Sequence, residues 1–309
     1  LSRDGYELTI IDREESVVNS IGNTVDVISY QGNGASYTTL KELGADKADI
    51  FIAVTESDEL NILSCLTAHM MGAKHAIARV RDVDYAGQNR FYRDKLGLSM
   101  TINPELATAM EIFRLLRFPL ATRVEVFARG RAELVEMTVG ANSPLNEKSL
   151  IQINQNMGIN LLICAVVRNG DVYVPNGETV IRSGDILYMT GAPEEFRKSF
   201  KKLKLPIKPM QSVMISGAGR ISCYLAGVLL KQGAKVTIVE RNQRIADEVS
   251  AAMPKAAVLC DDTLNYFDAM SGTDISHTDA FIAMTEDDEY NLVAAMYAES
   301  QGINKVVSR

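Results

Sequence analysis

Two nearly identical peptides constrain the architecture of this chain more than any other feature. FIAVTESDELN occupies residues 51–61 and FIAMTEDDEYN occupies residues 281–291, with eight of the eleven letters in common. The 230 positions between them are far longer than the period of a stacked repeat, so the pattern indicates a duplicated domain. The sequence therefore predicts two copies of one domain with other sequence between them.

The composition limits the classes of partner. The 309 residues carry a formal net charge of -7, which argues against nucleic acid because a nucleic-acid site requires a basic face. The longest apolar stretches, such as LNILSCLTAHMM, contain polar residues and are shorter than the roughly 18–20 residues of a membrane span. No charged and then apolar leader opens the chain. We expect a soluble, cytoplasmic protein without a transmembrane segment.

The cysteines and histidines give no sign of metal or disulfide chemistry. The four cysteines are scattered without Cys-x-x-Cys spacing, and only three histidines accompany them. Structural zinc sites require four such ligands at short, regular spacings. We expect no metal site.

Short β-branched runs alternate with amphipathic stretches in residues 1–119. ELTIID, VDVIS, DIFIAV and HAIARV have the pattern of strands, and REESVVNSI, YTTLKELG and SDELNILSCLTAHMMG have that of helices. Strands separated by helices of this length indicate βαβ units and a parallel sheet. Pro104 begins a further helix and Pro119 follows it, so this helix is a bounded connector.

The pattern changes in residues 120–206 and then returns. TRVEVFARG, RAELVEMTVG, LLICAVVRNG and DILYMTG are typical of antiparallel strands ending in turns, with one helix predicted at 146–156. Residues 207–309 repeat the first pattern, from SVMISG to NKVVSR. We therefore predict three domains, 1–119, 120–206 and 207–309: two parallel-sheet α/β domains flanking a small α+β module.

A glycine pattern follows the strand SVMIS and opens a helix. It reads Gly217-Ala218-Gly219-Arg220-Ile221-Ser222, and the next predicted strand ends in Glu240. In this context a Gly-x-Gly turn and a later acid form the fingerprint of a Rossmann-like dinucleotide site. The first glycine permits the turn, the second lets the backbone approach a pyrophosphate at the helix N-terminus, and Ser222 is small enough for close packing.

Acids end the corresponding strands of both copies. Glu240 is expected to accept a hydrogen bond from a ribose hydroxyl and to repel a 2′-phosphate, and Asp12 is its counterpart in the first copy. Either acid could instead cap the following helix. Aligning Asp12 with Glu240 places the first copy's initial strand and glycine turn before residue 1, so we expect an N-terminally incomplete first copy and a C-terminally incomplete second copy.

The repeated peptides end at the expected ligand crevice. Thr55-Glu56 and Thr285-Glu286 follow a predicted strand at its carboxyl end, where open α/β sheets bind ligands. A threonine there could also serve only as a helix cap. Arg79 and Arg309 end the next strand of each copy, near the position of a phosphate.

The order of these motifs resembles the RCK (also called KTN) domain family. The glycine fingerprint, the acid, TESDELN or TEDDEYN and the arginine-ended strand are similar to its nucleotide-binding domain, and SPLNEKSL with SGDILYMTG is similar to its smaller C-terminal subdomain. The tandem arrangement resembles the regulatory subunits of Trk-type potassium-uptake systems. The fold that this resemblance implies is two RCK N-type domains, the first without its initial strand, flanking an RCK C-type subdomain.

The resemblance also implies a set of binding residues. In the second copy they are Gly217, Ala218, Gly219, Arg220, Ile221, Glu240, Asp262, Thr263, Thr285, Glu286 and Arg309, and in the first copy Asp12, Asn33, Gly34, Thr55, Glu56 and Arg79. Asn33 stands where the family often carries an aspartate.

The role implied by the resemblance is regulatory. The ligands would be NAD(H) or, as the other option, ATP or ADP, and the partner would be a potassium-translocating membrane subunit of the Trk type. The chain would form a homo-oligomeric ring, peripheral on the inner face of the cell membrane, and would not be an enzyme. Two other interpretations stay open: an NAD-dependent oxidoreductase, although no histidine is well placed for catalysis, and the soluble regulatory part of an ion channel or antiporter.

Overall fold

The structure, a computed structural model, describes residues 2–82, 85, 88–118, 121–157, 161–203, 210–270, 278–303 and 305–308. The chain divides into two compact units, Leu1–Ala107 and Thr108–Arg309. Within the described ranges, no helix is long and apolar enough to span a membrane.

The first unit is an α/β structure, as the alternation of short apolar runs and amphipathic stretches predicts. Its strands are β1 (Thr9–Asp12), β2 (Ile28–Gln31), β3 (Ile50–Ala53), β4 (His75–Arg79) and β5 (Met100–Ile102). Its helices are α1 (Glu15–Thr24), α2 (Tyr37–Glu42), α3 (Asp58–Met71), α4 (Asn89–Leu96) and the first residues of α5 (Pro104–Arg117).

All strand pairs of the first unit are parallel, but they form two separate sheets. β1 pairs with β2, and β3, β4 and β5 pair in that order. In the part of the unit that the structure describes, no strand joins β1 to β3, and Ile50 and Ile52 of β3 are exposed. This division agrees with the prediction that the first copy lacks its initial strand.

A small α+β module follows α5 in the second unit. The elements are β6 (Ala121–Phe127), β7 (Ala132–Thr138), β8 (Lys148–Ser149), α6 (Leu150–Met157), β9 (Leu162–Arg168), β10 (Asp171–Tyr173), β11 (Val180–Ile181), β12 (Ile186–Gly191) and α7 (Pro193–Lys202). A five-stranded antiparallel sheet has the order β10-β9-β12-β7-β6, and β8 pairs with β11. Three phenylalanines of the module's core, Phe118, Phe196 and Phe200, meet edge to face with ring centroids 5.7–5.8 Å apart.

The second α/β domain is built around one continuous parallel sheet. The central strands SVMIS (212–216) and AFIA (280–283) are buried on both faces, which explains their nearly unbroken apolar sequences. The elements are β13 (Ser212–Ser216), α8 (Arg220–Lys231), β14 (Lys235–Glu240), α9 (Gln243–Ala252), β15 (Ala257–Cys260), α10 (Thr263–Met270), β16 (Ala280–Ala283), α11 (Asp288–Ser300) and β17 (Lys305–Ser308).

The strand order of this sheet is β15-β14-β13-β16-β17. The chain moves outward from β13 to β15 and then crosses to β16, so the direction of winding reverses beside β13. In open α/β sheets such a switch point forms a crevice at the carboxyl ends of the strands. In the same unit Ile112 and Leu116 of α5 belong to the core that contains Ile215 and Leu225.

The predicted fold class is confirmed, and two element boundaries are wrong. The helix predicted at 146–156 begins at Leu150, because Lys148 and Ser149 extend to pair with β11. The strand predicted as VDVIS begins only at Ile28, where pairing with β1 starts. The predicted domain boundaries at 119/120 and 206/207 lie outside the described residues and stay predictions.

Candidate nucleotide-binding site

The glycine turn lies at the switch point of the second sheet, between β13 and α8. Gly217 has φ +90° and its amide donates to Val239 O at 2.8 Å. A Cβ at this position would lie 2.9 Å from the carbonyl oxygen of Met284, so both the conformation and the space require glycine. Ser222 is fully buried, which agrees with its predicted role as a small packing residue.

The N-terminus of α8 is open to a ligand. Gly219 is the N-cap and supplies no side-chain hydrogen bond, and Arg220 is exposed in the first turn. The free amides and the helix dipole favour an anion at such an end. Ala218 and Ile221 face the core, so they shape the turn through their backbone.

Glu240 reaches across from β14 and holds the glycine turn. Its Oε2 accepts from the Ala218 amide at 2.8 Å, and its Oε1 accepts from the Asn242 amide at 2.8 Å. The carboxylate is thereby fixed next to the turn, which is the arrangement of a ribose-binding acid beside a pyrophosphate loop. Asn242, and not Glu240, caps the following helix α9.

The threonine of the repeated peptide is part of an internal turn in both copies. Thr285 N and Oγ1 donate to Asn291 Oδ1 at 2.9 and 2.7 Å, and Asn291 Nδ2 donates to Thr285 O at 3.0 Å. Thr55 and Asn61 make the same three bonds at 2.7, 2.7 and 3.0 Å. These asparagines were not among the predicted site residues, although they are the last shared letter of the repeat.

The acids after these threonines point outward. Glu56 is 97% exposed at its side chain, with Oε1 3.9 Å from Arg79 Nη2, and Glu286 is also exposed. Arg79 Nη2 donates to Thr55 O at 3.0 Å, and its buried Nε has no hydrogen-bond partner among the described residues. Arg309, predicted to play the same role, lies outside the described residues.

Asp262 and Thr263, at the end of β15, point in different directions. Thr263 is buried, and its Oγ1 lies 2.7 Å from Ser216 Oγ, so the structure places it in the interior. Asp262 stays at the crevice, where Oδ1 accepts from Tyr290 Oη at 2.8 Å and from Leu264 N at 2.9 Å. Burial and this hydrogen bond raise the pKa of Tyr290 above its ordinary value.

The first copy carries an incomplete set of the same features. Asp12 Oδ1 accepts from Glu14 N at 2.9 Å, so it holds the turn after β1. Asn33 Oδ1 accepts from Ala35 N at 3.1 Å, and Gly34 has open space around it. Residues 2–8, which precede β1, contain no Gly-x-Gly turn, so no described residue of the first unit corresponds to Gly217.

Sequence reasoning also missed a buried ionic network in the first copy. Asp58 Oδ2 accepts from the amides of Arg81 and Asp82, each at 2.6 Å, and Oδ1 lies 3.4 Å from Arg81 Nε. Arg81 Nη1 lies 4.0 Å from Glu105 in the first turn of α5. The letters D and R occur in many exposed helices, so only the fold reveals that these side chains are buried together.

Nothing in the described residues forms a metal centre: no group of three histidine, cysteine, aspartate or glutamate side chains is suitably placed.

Models of known protein families match separate parts of this chain. The TrkA-N domain model matches residues 1–104 and 213–309, and the TrkA-C domain model matches residues 134–204. The chain belongs to the TrkA family. The family resemblance predicted from the sequence is thereby confirmed.

The similar proteins with established names belong to the same family. The chain is 29% identical to the Trk system potassium uptake protein TrkA homolog of Archaeoglobus fulgidus, over 98% of this chain and 68% of the relative. It is 29% identical to Trk system potassium uptake protein TrkA of Vibrio alginolyticus, over 98% and 67%. It thus spans about two thirds of the length of these relatives.

The solved structures share the fold of the whole chain. The GsuK RCK domain has a TM-score of 0.69 at 18% identity, covering 100% of this chain and 70% of that one. The GsuK channel bound to NAD has a TM-score of 0.66 at 18% identity, covering 99% and 57%. This TrkA-family chain therefore has the same tandem RCK-type fold as these structures.

Proposed function

We propose that this chain is a nucleotide-sensing regulatory subunit that binds NAD(H) or an adenine nucleotide and controls potassium passage through a membrane partner. The observation that carries the proposal is the bond from the Ala218 amide to Glu240, which joins an acid for a ribose to a glycine turn for a pyrophosphate. The buried position of Gly217 against the Met284 carbonyl makes that geometry rigid.

The ligand class follows from the same carboxylate. Glu240 accepts hydrogen bonds from ribose hydroxyls and repels a 2′-phosphate, so NAD(H), ADP and ATP fit and NADPH does not. GsuK, whose fold this chain shares, has been solved bound to NAD and bound to ADP, which supports the same ligand class here. The predicted contact of Arg309 with a phosphate belongs to this proposal.

The partner is a Trk-type potassium-translocating membrane subunit, and the chain acts as a homo-oligomeric ring on its cytoplasmic side. The names of the relatives support the partner. Exposed apolar side chains on the equivalent helices α3 and α11 support self-association, since such surfaces mark interaction sites. They are Leu63 and Met70 on α3, and Leu292, Val293 and Met296 on α11.

Gating follows from differential binding. A ligand shifts a conformational equilibrium only when it binds one state more tightly than the other. Glu240 and the glycine turn come from different βα units of one sheet and meet at the crevice, so a bound nucleotide would stabilise the arrangement that keeps them together.

The proposed role is regulatory and not catalytic. The described residues of the second unit, which carries the glycine turn, include no histidine, and His277 lies outside them. An oxidoreductase would require a proton-handling group beside the nicotinamide. The other alternative, a regulatory part of a channel or antiporter, shares the same nucleotide site and differs only in its membrane partner.

Calorimetric titration with NADH, NAD, NADPH, ADP and ATP tests the proposal. We expect binding of the unphosphorylated ligands, no binding of NADPH, and loss of binding in Glu240→Ala while Asp12→Ala keeps it. At about 100 times the dissociation constant, a ligand should add roughly 2.7 kcal/mol of stability, visible as a thermal shift. Steady consumption of NADH with a 2-keto acid would instead support the oxidoreductase.

A further inference from the structure

The last turns of α5 are shared by two hydrophobic cores. Ile112 and Leu116 belong to the core of the second α/β domain, which also contains Ile215. Leu115 and, just after the helix, Phe118 pack in the core of the small module. Successive residues of a helix point about 100° apart, so one stretch of chain contacts both cores. The module and the second sheet therefore meet at this helix end.

β17 presents one of its faces to the same junction. Val307 packs against the core that α5 enters, whereas Val306 packs against a separate core on the other side of the sheet. Lys305 lies two residues before Val307, and side chains of a strand alternate, so both extend from the same face. Lys305 Nζ donates to Ala121 O, in the module, at 3.0 Å. A polar bond thus accompanies the apolar contacts of the junction.

The bond of Lys305 ends on a backbone carbonyl rather than on an acid. Burial lowers the pKa of Lys305, and among the described residues no carboxylate acts against that effect. A half-buried ammonium group has lost part of its water, so it depends on the hydrogen-bond partners that remain. Ala121 is the first residue of β6, so the bond fixes the place where the chain enters the sheet of the module.

The glycine turn is connected to β17 through a single strand. A Cβ on Gly217 would lie 2.9 Å from Met284 O and 3.1 Å from Thr285 Cα, so the turn packs directly on the end of β16. β16 pairs with β17 in parallel, and Ala280 at its start lies opposite Lys305. A ligand that orders the turn would therefore restrain β16 and β17 as well.

We propose that Lys305 is a positioning residue that couples the second nucleotide site to the small module. The coupling rests on the proposed nucleotide function and assigns its output: a bound ligand reduces the motion of β6 relative to the second sheet. The path runs from the glycine turn through β16 and β17 to the bond with Ala121. Packed strands and hydrogen bonds of this kind carry coupling between sites, and Lys305 makes the last contact.

The first copy lacks this connection. The position equivalent to Lys305 is His75, an exposed residue whose Nδ1 lies 3.4 Å from Ser99 Oγ. β4 forms and pairs with β3 and β5 without a lysine at that position. A strand of this type therefore does not require the lysine, and replacement of Lys305 should leave the second sheet intact.

Hydrogen exchange of the β6 amides, with and without saturating NADH or ADP, tests the coupling. For the unmodified chain we expect the ligand to slow exchange in β6 by about threefold to tenfold, the effect of one hydrogen bond, together with the amides around Gly217. In Lys305→Met, exchange around Gly217 should still slow, whereas exchange in β6 should no longer respond. The ligand affinity, measured by calorimetry, should weaken by no more than the same factor, because coupling between sites is reciprocal.

Two further variants separate positioning from a general effect on the fold. Lys305→Arg keeps a charged donor at the junction and should restore the response of β6. Lys235→Met removes an exposed lysine at the start of β14, and the response of β6 should stay unchanged.

Three outcomes would overturn the coupling. A β6 that does not respond to bound ligand in the unmodified chain would refute it and leave the nucleotide function standing. An unchanged response in Lys305→Met, or a response lost equally in Lys235→Met, would show that Lys305 is not the connection. Failure of NADH and ADP alike to bind would overturn the proposed function, and the coupling with it.

Discussion

Phe51–Val54 and Phe281–Met284 are nearly the same peptide in two different environments. Ile52 is 45% exposed and Ile282 is completely buried, although both occupy the third position of a parallel strand and both follow a phenylalanine. β16 has a strand on each side, whereas β3 pairs only with β4 among the described residues. The difference shows that local sequence decides the strand and non-local neighbours decide its burial.

The reverse holds at the start of the helices that follow. Asp58 of the first copy is buried beneath Arg81, whereas its counterpart Asp288 is exposed. The most constrained polar groups therefore differ between the copies. In the first copy they form a buried ionic network, and in the second they are the glycine turn and the acid bound to it. Variants of equivalent positions measure how far this division extends.

Removal of the two aspartates should give the largest contrast. Asp58→Ala removes the buried carboxylate that lies 3.4 Å from Arg81 Nε and that accepts from two backbone amides, and we expect a loss of about 3–5 kcal/mol. Asp288→Ala removes only a favourable charge at the N-terminus of α11, about 0.3–1 kcal/mol. Urea unfolding followed by circular dichroism measures both values. Equal losses would mean that the network contributes little.

Alanine at two glycines should give the next contrast. Gly217→Ala forces a side chain into a positive φ and against the Met284 carbonyl, at a cost of about 2–4 kcal/mol, and nucleotide binding should be lost. Gly34→Ala meets open space and should change stability by less than about 0.5 kcal/mol. Thermal unfolding with and without NADH compares them. Retention of binding in Gly217→Ala would show that the turn does not contact the ligand.

The asparagines test where the copies are alike. Asn61→Ala and Asn291→Ala each remove a buried side chain that accepts from the amide and hydroxyl of the threonine six residues earlier, so both should cost about 1–3 kcal/mol. Asn61 also donates to Arg79 O at 2.9 Å, so its loss should be somewhat larger. Asparagine-to-aspartate variants keep the acceptor and serve as controls. If only one of the two alanine variants lowered the free energy of unfolding in urea, the role would not be shared by both copies.

Much of the fold could be predicted because its signals are local. The alternation of apolar runs and amphipathic stretches located β3, β4, β13 and β14 to within one or two residues, since each strand is short and bounded by turn residues. The missing initial strand of the first copy was predicted from alignment of the copies, and its division into two sheets was seen only in the structure. The order of the strands and the packing of Ile112 beside Ile215 depend on neighbours far along the chain, which periodicity does not encode.

The candidate site divides in the same way. Gly217 and Glu240 could be identified because turn geometry and ribose chemistry restrict the residue type at those positions. Thr263 was expected at the site and lies in the interior, since a hydroxyl serves either place equally well. The positions of Tyr290 and Asn291 result from the way α11 meets the ends of the strands, and only the fold shows it.

Two lysines, one in each α/β domain, should contribute to stability with opposite dependence on pH. This is the smallest of the predicted effects. Burial lowers the pKa of Lys305, whose Nζ donates to Ala121 O at 3.0 Å. The unfolded chain then binds more protons just below pH 10.5, so this group's contribution to stability rises with pH. The exposed bond to Asp49 raises the pKa of Lys74, so its contribution is complete below pH 10.5 and is lost as pH rises through the folded value.

Melting temperatures of Lys305→Met, Lys74→Met and the unmodified chain between pH 8 and 11 measure this contrast. The melting temperature of Lys305→Met minus that of the unmodified chain should fall as pH rises, by on the order of 1 °C. The same difference for Lys74→Met should rise toward zero. Two falling slopes would show that the pairing of Lys74 does not persist in solution, and two rising slopes would show that the burial of Lys305 does not. Opposite slopes would show that the second domain excludes water at the start of β17, where the first domain leaves its lysine hydrated and paired.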